Sequence, residues 1–132
     1  DKYKIRLIKC GYDQRFAKEW LNRMEFYGWQ KNGDDSKSEL VMILQNAQTL
    51  SNAIKLCEAD FKHKLIYYNN NPIDKWCLIN TNVRKDINGN IQPVKSLDRT
   101  QRIDGTVALL CAYIALMNNK DKYIALNKAA DE

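Results

Sequence analysis

The sequence predicts an α/β fold, and three observations carry that reading. Through the first half, short runs of β-branched and aromatic residues alternate with segments whose apolar residues recur at helical spacing. Asn88-Gly89 stands between two strand-like runs as a hairpin signal. Beyond it, Asp104-Gly105 opens a long segment that is apolar nearly all round. With 132 residues, 45% apolar and 28% charged, the chain has the size and composition of one globular domain with a real core, outside the disordered range.

Ile5 to Tyr12 (IRLIKCGY) mixes β-branched and aromatic residues and reads as a strand that ends at Asp13. Arg15 to Tyr27 sets Phe16, Ala17, Trp20, Leu21 and Met24 at helical spacing, with Gly28 as the stop. After the polar loop Lys31-Asn32-Gly33-Asp34-Asp35, Leu40 to Leu44 is a short apolar strand. Thr49 to Lys62 reads as a helix capped by Thr49 or Ser51, with Leu50, Ile54, Leu56, Cys57 and Phe61 on its buried side. Leu65 to Tyr68 is brief and strand-like.

From Asn71 the pattern becomes helix, hairpin, helix. Pro72 suits a first helical turn, followed by Ile73, Trp76, Cys77 and Ile79, and the helix ends near Asn80. Val83 to Val94 reads as a β-hairpin with a type I′ turn at Asn88-Gly89. Ser96 to Gln101 is a loop, and Asp104 to Met117 is a helix whose composition calls for extensive burial. The charged tail after Asn118 frays or continues as a short exposed helix. No repeat, low-complexity tract or linker divides residues 1–132.

No apolar run approaches the roughly 20 residues that span a bilayer, and Asp1-Lys2-Tyr3-Lys4 lacks the shape of a signal peptide. A soluble intracellular protein without a membrane partner is expected. The chain begins without methionine, directly in an apparent strand, which suggests a fragment of a longer one. Cys10, Cys57, Cys77 and Cys111 form no CxxC pair and each lies in an apolar segment, so they read as small buried hydrophobes in a reducing compartment, not as a zinc site. His63, among lysines with no nucleophile beside it, reads as a surface or capping residue.

The net charge of +5 fits a polyanionic partner without demanding one. Basic residues gather at Lys2, Lys4, Arg6 and Lys9, at Lys62 and Lys64, and at Arg84, Lys85, Lys95, Arg99 and Arg102. The last group flanks Asp104, where it forms either a solvated loop or a cradle for phosphates beside a metal. Asp104 itself reads in two ways, as a first-turn carboxylate that caps a helix or as a metal ligand. Asp13 ends a strand. Strand ends and helix starts in an α/β fold tend to face one crevice, where two carboxylates can share divalent metals. Phosphodiester hydrolysis is served by two such ions about 4 Å apart.

An ordered series of motifs narrows the choice. Asn69-Asn70-Asn71-Pro72-Ile73-Asp74-Lys75-Trp76 is followed by Asn80-Thr81-Asn82-Val83, then by Asp86-Ile87-Asn88-Gly89-Asn90-Ile91-Gln92-Pro93-Val94-Lys95, then by Arg102-Ile103-Asp104-Gly105. The series resembles the C-terminal nuclease domain of tailed-phage terminase large subunits, the DNA-packaging motors of phages and prophages. Gln45-Asn46 and Leu50-Ser51 resemble that family's strand-to-helix crossover, and the likeness extends from Ile5 to about Met117. It implies a ribonuclease H-like nuclease domain, a mixed sheet flanked by helices with a β-hairpin before the last long helix. It also implies three acidic metal ligands. Asp13 matches the second and Asp104 the third, while the strand bearing the first would precede residue 1.

The resemblance further implies endonucleolytic cleavage of concatemeric double-stranded viral DNA during genome packaging, with Mg²⁺ or Mn²⁺ in a two-metal site that is incomplete in this chain. Asp98 is a candidate accessory ligand or a plain loop aspartate. Lys95, Arg99, Arg102, Arg84 and Lys85 are candidate DNA contacts. No GxxxxGK[ST] loop occurs, so ATP hydrolysis belongs to another region, and the isolated chain is expected to cut weakly or not at all. Portal, small terminase subunit and procapsid are the implied partners of the full-length protein, acting in the bacterial cytoplasm. Two rival readings stay open: another ribonuclease H-like enzyme of resolvase or transposase type, and a non-catalytic DNA-binding or docking module in which both aspartates only cap.

Overall fold

The computed structural model describes residues 7–31, 37–98 and 100–131. Strand β1 (Cys10–Tyr12) and strand β2 (Leu40–Met42) run parallel, with Gly11 opposite Val41. Helix α1 (Lys18–Phe26) lies between them in sequence, as a parallel pair requires a crossover. Both strands are shorter than the sequence suggested. Ile5 and Arg6 lie outside the described residues, and beyond Met42 only the bond from Ile43 N to Tyr12 O (2.8 Å) prolongs the ladder.

Helix α1 starts three residues later than its apolar spacing predicts, for a local reason. Asp13 Oδ1 accepts from Arg15 N (2.9 Å), and Phe16 takes φ +60°, a left-handed conformation that cannot continue a right-handed helix. Its stop is the predicted one: Gly28 has φ +88°.

Helix α2 (Ala47–Lys62) is capped by Asn46, whose side chain accepts from Thr49 N (2.8 Å), and not by Thr49 or Ser51. Ser51 is instead buried, and its hydroxyl accepts from Ile91 N (3.2 Å) on the hairpin. His63 is the C-cap. The next residue, Lys64, has φ +57°, and bonds from Lys64 N to Phe61 O (3.1 Å) and Leu65 N to Asp60 O (2.9 Å) close the helix in a Schellman motif. The chain therefore leaves α2 in a direction set by the cap. Leu65 to Tyr68 forms no strand, and Leu65, Tyr67 and Tyr68 are exposed.

Helix α3 (Pro72–Ile79) follows, with Asn71 accepting from Ile73 N (2.8 Å) and proline in its first turn. Strands β3 (Thr81–Lys85) and β4 (Ile91–Lys95) form the antiparallel hairpin, longer at its root than predicted by two residues on β3 and one on β4. The turn also differs. Gly89 alone has positive φ (+82°) there, Gly89 N bonds Asp86 O (3.1 Å), and Asp86 N bonds Asn90 O (2.8 Å). This is a three-residue loop closing on a left-handed glycine, not a type I′ turn. The Asp86 carboxylate selects it by accepting from both Asn88 N (2.9 Å) and Asn90 N (2.8 Å). Among the described residues the strands thus form one parallel and one antiparallel pair.

Helix α4 (Asp104–Asn118) touches β1, α2 and α3, and helix α5 (Lys120–Asp131) continues the tail. The main core gathers Val41, Ile43, Leu50, Ala53, Cys57, Leu110, Cys111 and Ile114. Contrary to expectation, α4 keeps one open flank, with Ala108, Ala112, Leu116 and Met117 exposed, because those neighbours do not encircle it. Its tightest contact is with β1. A Cβ at Gly11 would lie 2.6 Å from the Cys111 carbonyl oxygen, so only glycine admits this approach of helix to strand. Tyr12, the next residue, turns the other way into a smaller cluster with Ala17 and Leu40.

Candidate active site

Asp13 follows β1 directly and Asp104 is the first residue of α4, so the strand-helix contact at Gly11 and Cys111 fixes both. They line one open cleft of about 500 Å³, with Arg15, Gln45 and Lys95 among the other residues on its walls. Asp13 is half-buried, and the backbone N–H of Arg15 holds its carboxylate. Asp104 is exposed at the positive end of a 15-residue helix, which favours its negative charge.

The approach to Asp104 is held from below. Buried Asn80 donates from Nδ2 to the Arg102 carbonyl (3.3 Å), and Thr81 Oγ1 is hydrogen-bonded to the Cys77 carbonyl (2.7 Å) and to Thr106 Oγ1 (2.8 Å). At Gly105 a Cβ would come within 3.3 Å of Cys77 Sγ, so this glycine lets α3 sit close beneath the helix start. The Asn80-Thr81 and Asp104-Gly105 motifs, distant in sequence, are one structural joint.

At the buried wall of the cleft, burial pushes the Cys111 thiol up, against a smaller lowering by the Gln45 amide, so it stays a neutral thiol at physiological pH. Cys57 and Cys77 are also buried, Cys10 is half-buried, and all four are free. Among the described residues no three His, Cys, Asp or Glu side chains gather as a metal cluster. The accessible donors on the cleft are oxygens, two carboxylates and the Gln45 amide oxygen, while the one sulfur on its lining, Cys111, is buried and held as a neutral thiol. That donor chemistry fits a hard divalent cation such as Mg²⁺ or Mn²⁺.

Asp98 does not line this cleft. Its Oδ1 accepts from Thr100 N (2.8 Å) and Thr100 Oγ1 (2.7 Å), bonds that hold its carboxyl below the usual carboxylate range. Of the basic candidates, Lys95 lines the cleft, Arg102 is exposed beside Asp104, and Arg99 lies outside the described residues. Arg84 and Lys85 are exposed on β3, where Arg84 donates to the amide oxygen of Gln92 directly opposite. Lys85 and Lys95 stand at opposite ends of the hairpin, about 13 Å apart along the strand, with side chains on the same face.

By sequence, residues 5–119 match the family described as "Terminase large subunit, endonuclease domain". The chain belongs to that family. Over 75 residues, 54% of this chain and 16% of the relative, this terminase nuclease domain is 39% identical to Protein YmfN of Escherichia coli (strain K12). It superposes on the crystal structure of the HK97 bacteriophage large terminase with a TM-score of 0.64 and 24% identity, covering 80% of this chain and 20% of that one. The two chains therefore share a fold. The chain spans about a sixth of the length of YmfN and a fifth of the HK97 protein.

Two residues on the cleft of the terminase nuclease domain, Arg15 and Gln45, enter the sequence reading only as parts of a helix and a crossover and not as site residues. Arg15 could have been found from its place two residues after Asp13, the spacing at which an aspartate binds a following N–H. Gln45 carries no comparable local signal, since only the fold brings it beside Asp13 and Cys111. Among the described residues no helix is long and apolar enough to cross a membrane.

Proposed function

We propose that this domain cuts DNA for a packaging terminase, hydrolysing phosphodiester bonds of concatemeric double-stranded viral DNA with Mg²⁺ or Mn²⁺. The observation that carries the reading is that Asp13 and Asp104, far apart in sequence, line one open cleft and bring two carboxylates to it. Asp13 and Asp104 would hold the cations, which when bound activate water and stabilise the leaving ester oxygen. Lys95 and Arg15 would neutralise the phosphate from the cleft walls, and the N–H of Arg15 keeps the Asp13 carboxylate oriented. Arg102, Arg84 and Lys85 would track the DNA backbone outside the cleft, and Arg99 would add a further backbone contact; such contacts position the duplex without reading its sequence. Asp98, held by Thr100, would serve at most as an accessory donor from outside the cleft.

In this reading the first acidic ligand and the ATPase come from the rest of the full-length protein, which docks on portal, small subunit and procapsid in the bacterial cytoplasm. Its support is that the solved large terminase is about five times as long as the portion matched here. The test is plasmid cleavage by the full-length protein in Mn²⁺ and in EDTA, beside its Asp13→Asn and Asp104→Asn variants. Metal-dependent cutting that falls about 100-fold or more in each variant, a loss of at least ~2.7 kcal/mol of transition-state stabilisation, supports the reading. Undiminished cutting by the variants would reduce both aspartates to caps. Preference for branched over linear duplex would move the activity to the resolvase type.

A further inference from the structure

Gln45 has an orientation that its neighbours dictate. Its Nε2 donates to the Ile43 carbonyl (2.9 Å) and reaches Cys111 Sγ (3.5 Å). A carbonyl only accepts, so the NH₂ end of the amide must face Ile43 and the oxygen must face away. Ile43 is tied to β1 by its bond to Tyr12 O, and Cys111 is the α4 residue whose carbonyl presses on Gly11. The amide is thus anchored to both elements that carry the aspartates. Its Oε1 has no protein hydrogen-bond partner among the described residues and is not a buried orphan, so it stays open to the cleft that the half-buried side chain lines. A fixed acceptor left unpaired beside two carboxylates is suited to a donor that arrives from the cleft.

Resting on the metal-site reading above, we infer that Gln45 is a positioning residue of that site, its Oε1 accepting a hydrogen bond from a water in the cation's hydration shell. Mg²⁺ and ions like it keep several waters, and two carboxylates leave most of an octahedral shell to be filled. A neutral amide oxygen orients such a water without adding a third negative charge beside the substrate phosphate. The Nε2 anchor supplies what an outer-shell partner needs, a fixed direction set by the same strand and helix that place the ligands.

The test is a Mn²⁺ titration of the full-length protein without nucleotide, free Mn²⁺ being followed by electron paramagnetic resonance. The variants are Gln45→Leu, Gln45→Met, Gln45→Glu and, as the reference for the site itself, Asp104→Asn. We expect Asp104→Asn to abolish one class of Mn²⁺ binding and the two apolar variants to weaken that class about 10-fold, within the range for lost outer-shell partners. Gln45→Glu loses the Nε2 anchor but keeps an oxygen acceptor, whose negative charge attracts the cation and offsets the lost alignment, and should bind within a few-fold of the parent. Wild-type affinity in the apolar variants, with binding lost in Asp104→Asn, overturns the inference and leaves the site standing. Equal loss in Gln45→Glu and the apolar variants also overturns it, since the anchor alone would then matter. Unchanged binding in every variant, Asp104→Asn included, overturns the site and the inference together.

Discussion

The carbonyl oxygen of Cys111 fills the space that a side chain at residue 11 would occupy, 2.6 Å from where a Cβ would stand. Gly11→Ala must therefore push α4 off β1, because a backbone atom cannot turn aside as a flexible side chain can. Overpacking of this kind costs about 1–3 kcal/mol, which urea unfolding should report. The same shift separates Asp13 from Asp104, so Mn²⁺ affinity should fall as well. Retained stability and affinity would mean that the two elements can slide apart without consequence.

Asn46→Ala should cost about 1 kcal/mol, since Asn46 supplies the side-chain cap at the start of α2. Thr49→Ala, which keeps the backbone N–H that Asn46 binds, should cost less. Thermal melts of the two variants compare the capping roles directly.

Tyr113 donates to Asp60 Oδ2 (2.9 Å), and burial first, then that bond, pushes its phenol well above the ordinary range. The folded state thus retains a proton that the unfolded chain releases near pH 10. With fewer protons bound in the unfolded state, stability must fall as pH rises through and beyond that value. In Tyr113→Phe the alkaline slope should be shallower than in the parent between pH 9 and about 11, as denaturant midpoints across that window would show.

Lys95→Gln should weaken DNA binding and lower the salt slope by about 0.9, the contribution of one phosphate contact on duplex DNA. The effect should be alike on unrelated sequences, because phosphate contacts carry no sequence information. A sequence-dependent loss would place Lys95 against base edges instead.

Local signals explain what could be read from the chain alone. Helices α3 and α4 open and close within a residue or two of expectation because their signals, Pro72 after Asn71 and an apolar run after Asp104, act over one turn. Helix α1 began late because Asp13 and Phe16 impose a turn that hydrophobic spacing does not register. Leu65 to Tyr68 had the composition of a strand, yet a strand exists only with a partner, and the cap at Lys64 leads the segment away from one. Both aspartates were visible as the ends of elements, whereas Gln45 becomes notable only once Cys111 is packed beside it.

The hairpin turn has a practical consequence. Its shape is closed by Asp86, Asn88, Gly89 and Asn90 among themselves, while Lys95 sits at the opposite, rooted end. Ile87 at the tip is 99% exposed. A fluorophore attached there would ride on a self-contained scaffold beside Lys85, more than about 13 Å along the strands from Lys95, and could signal the arrival of a duplex from outside the cleft.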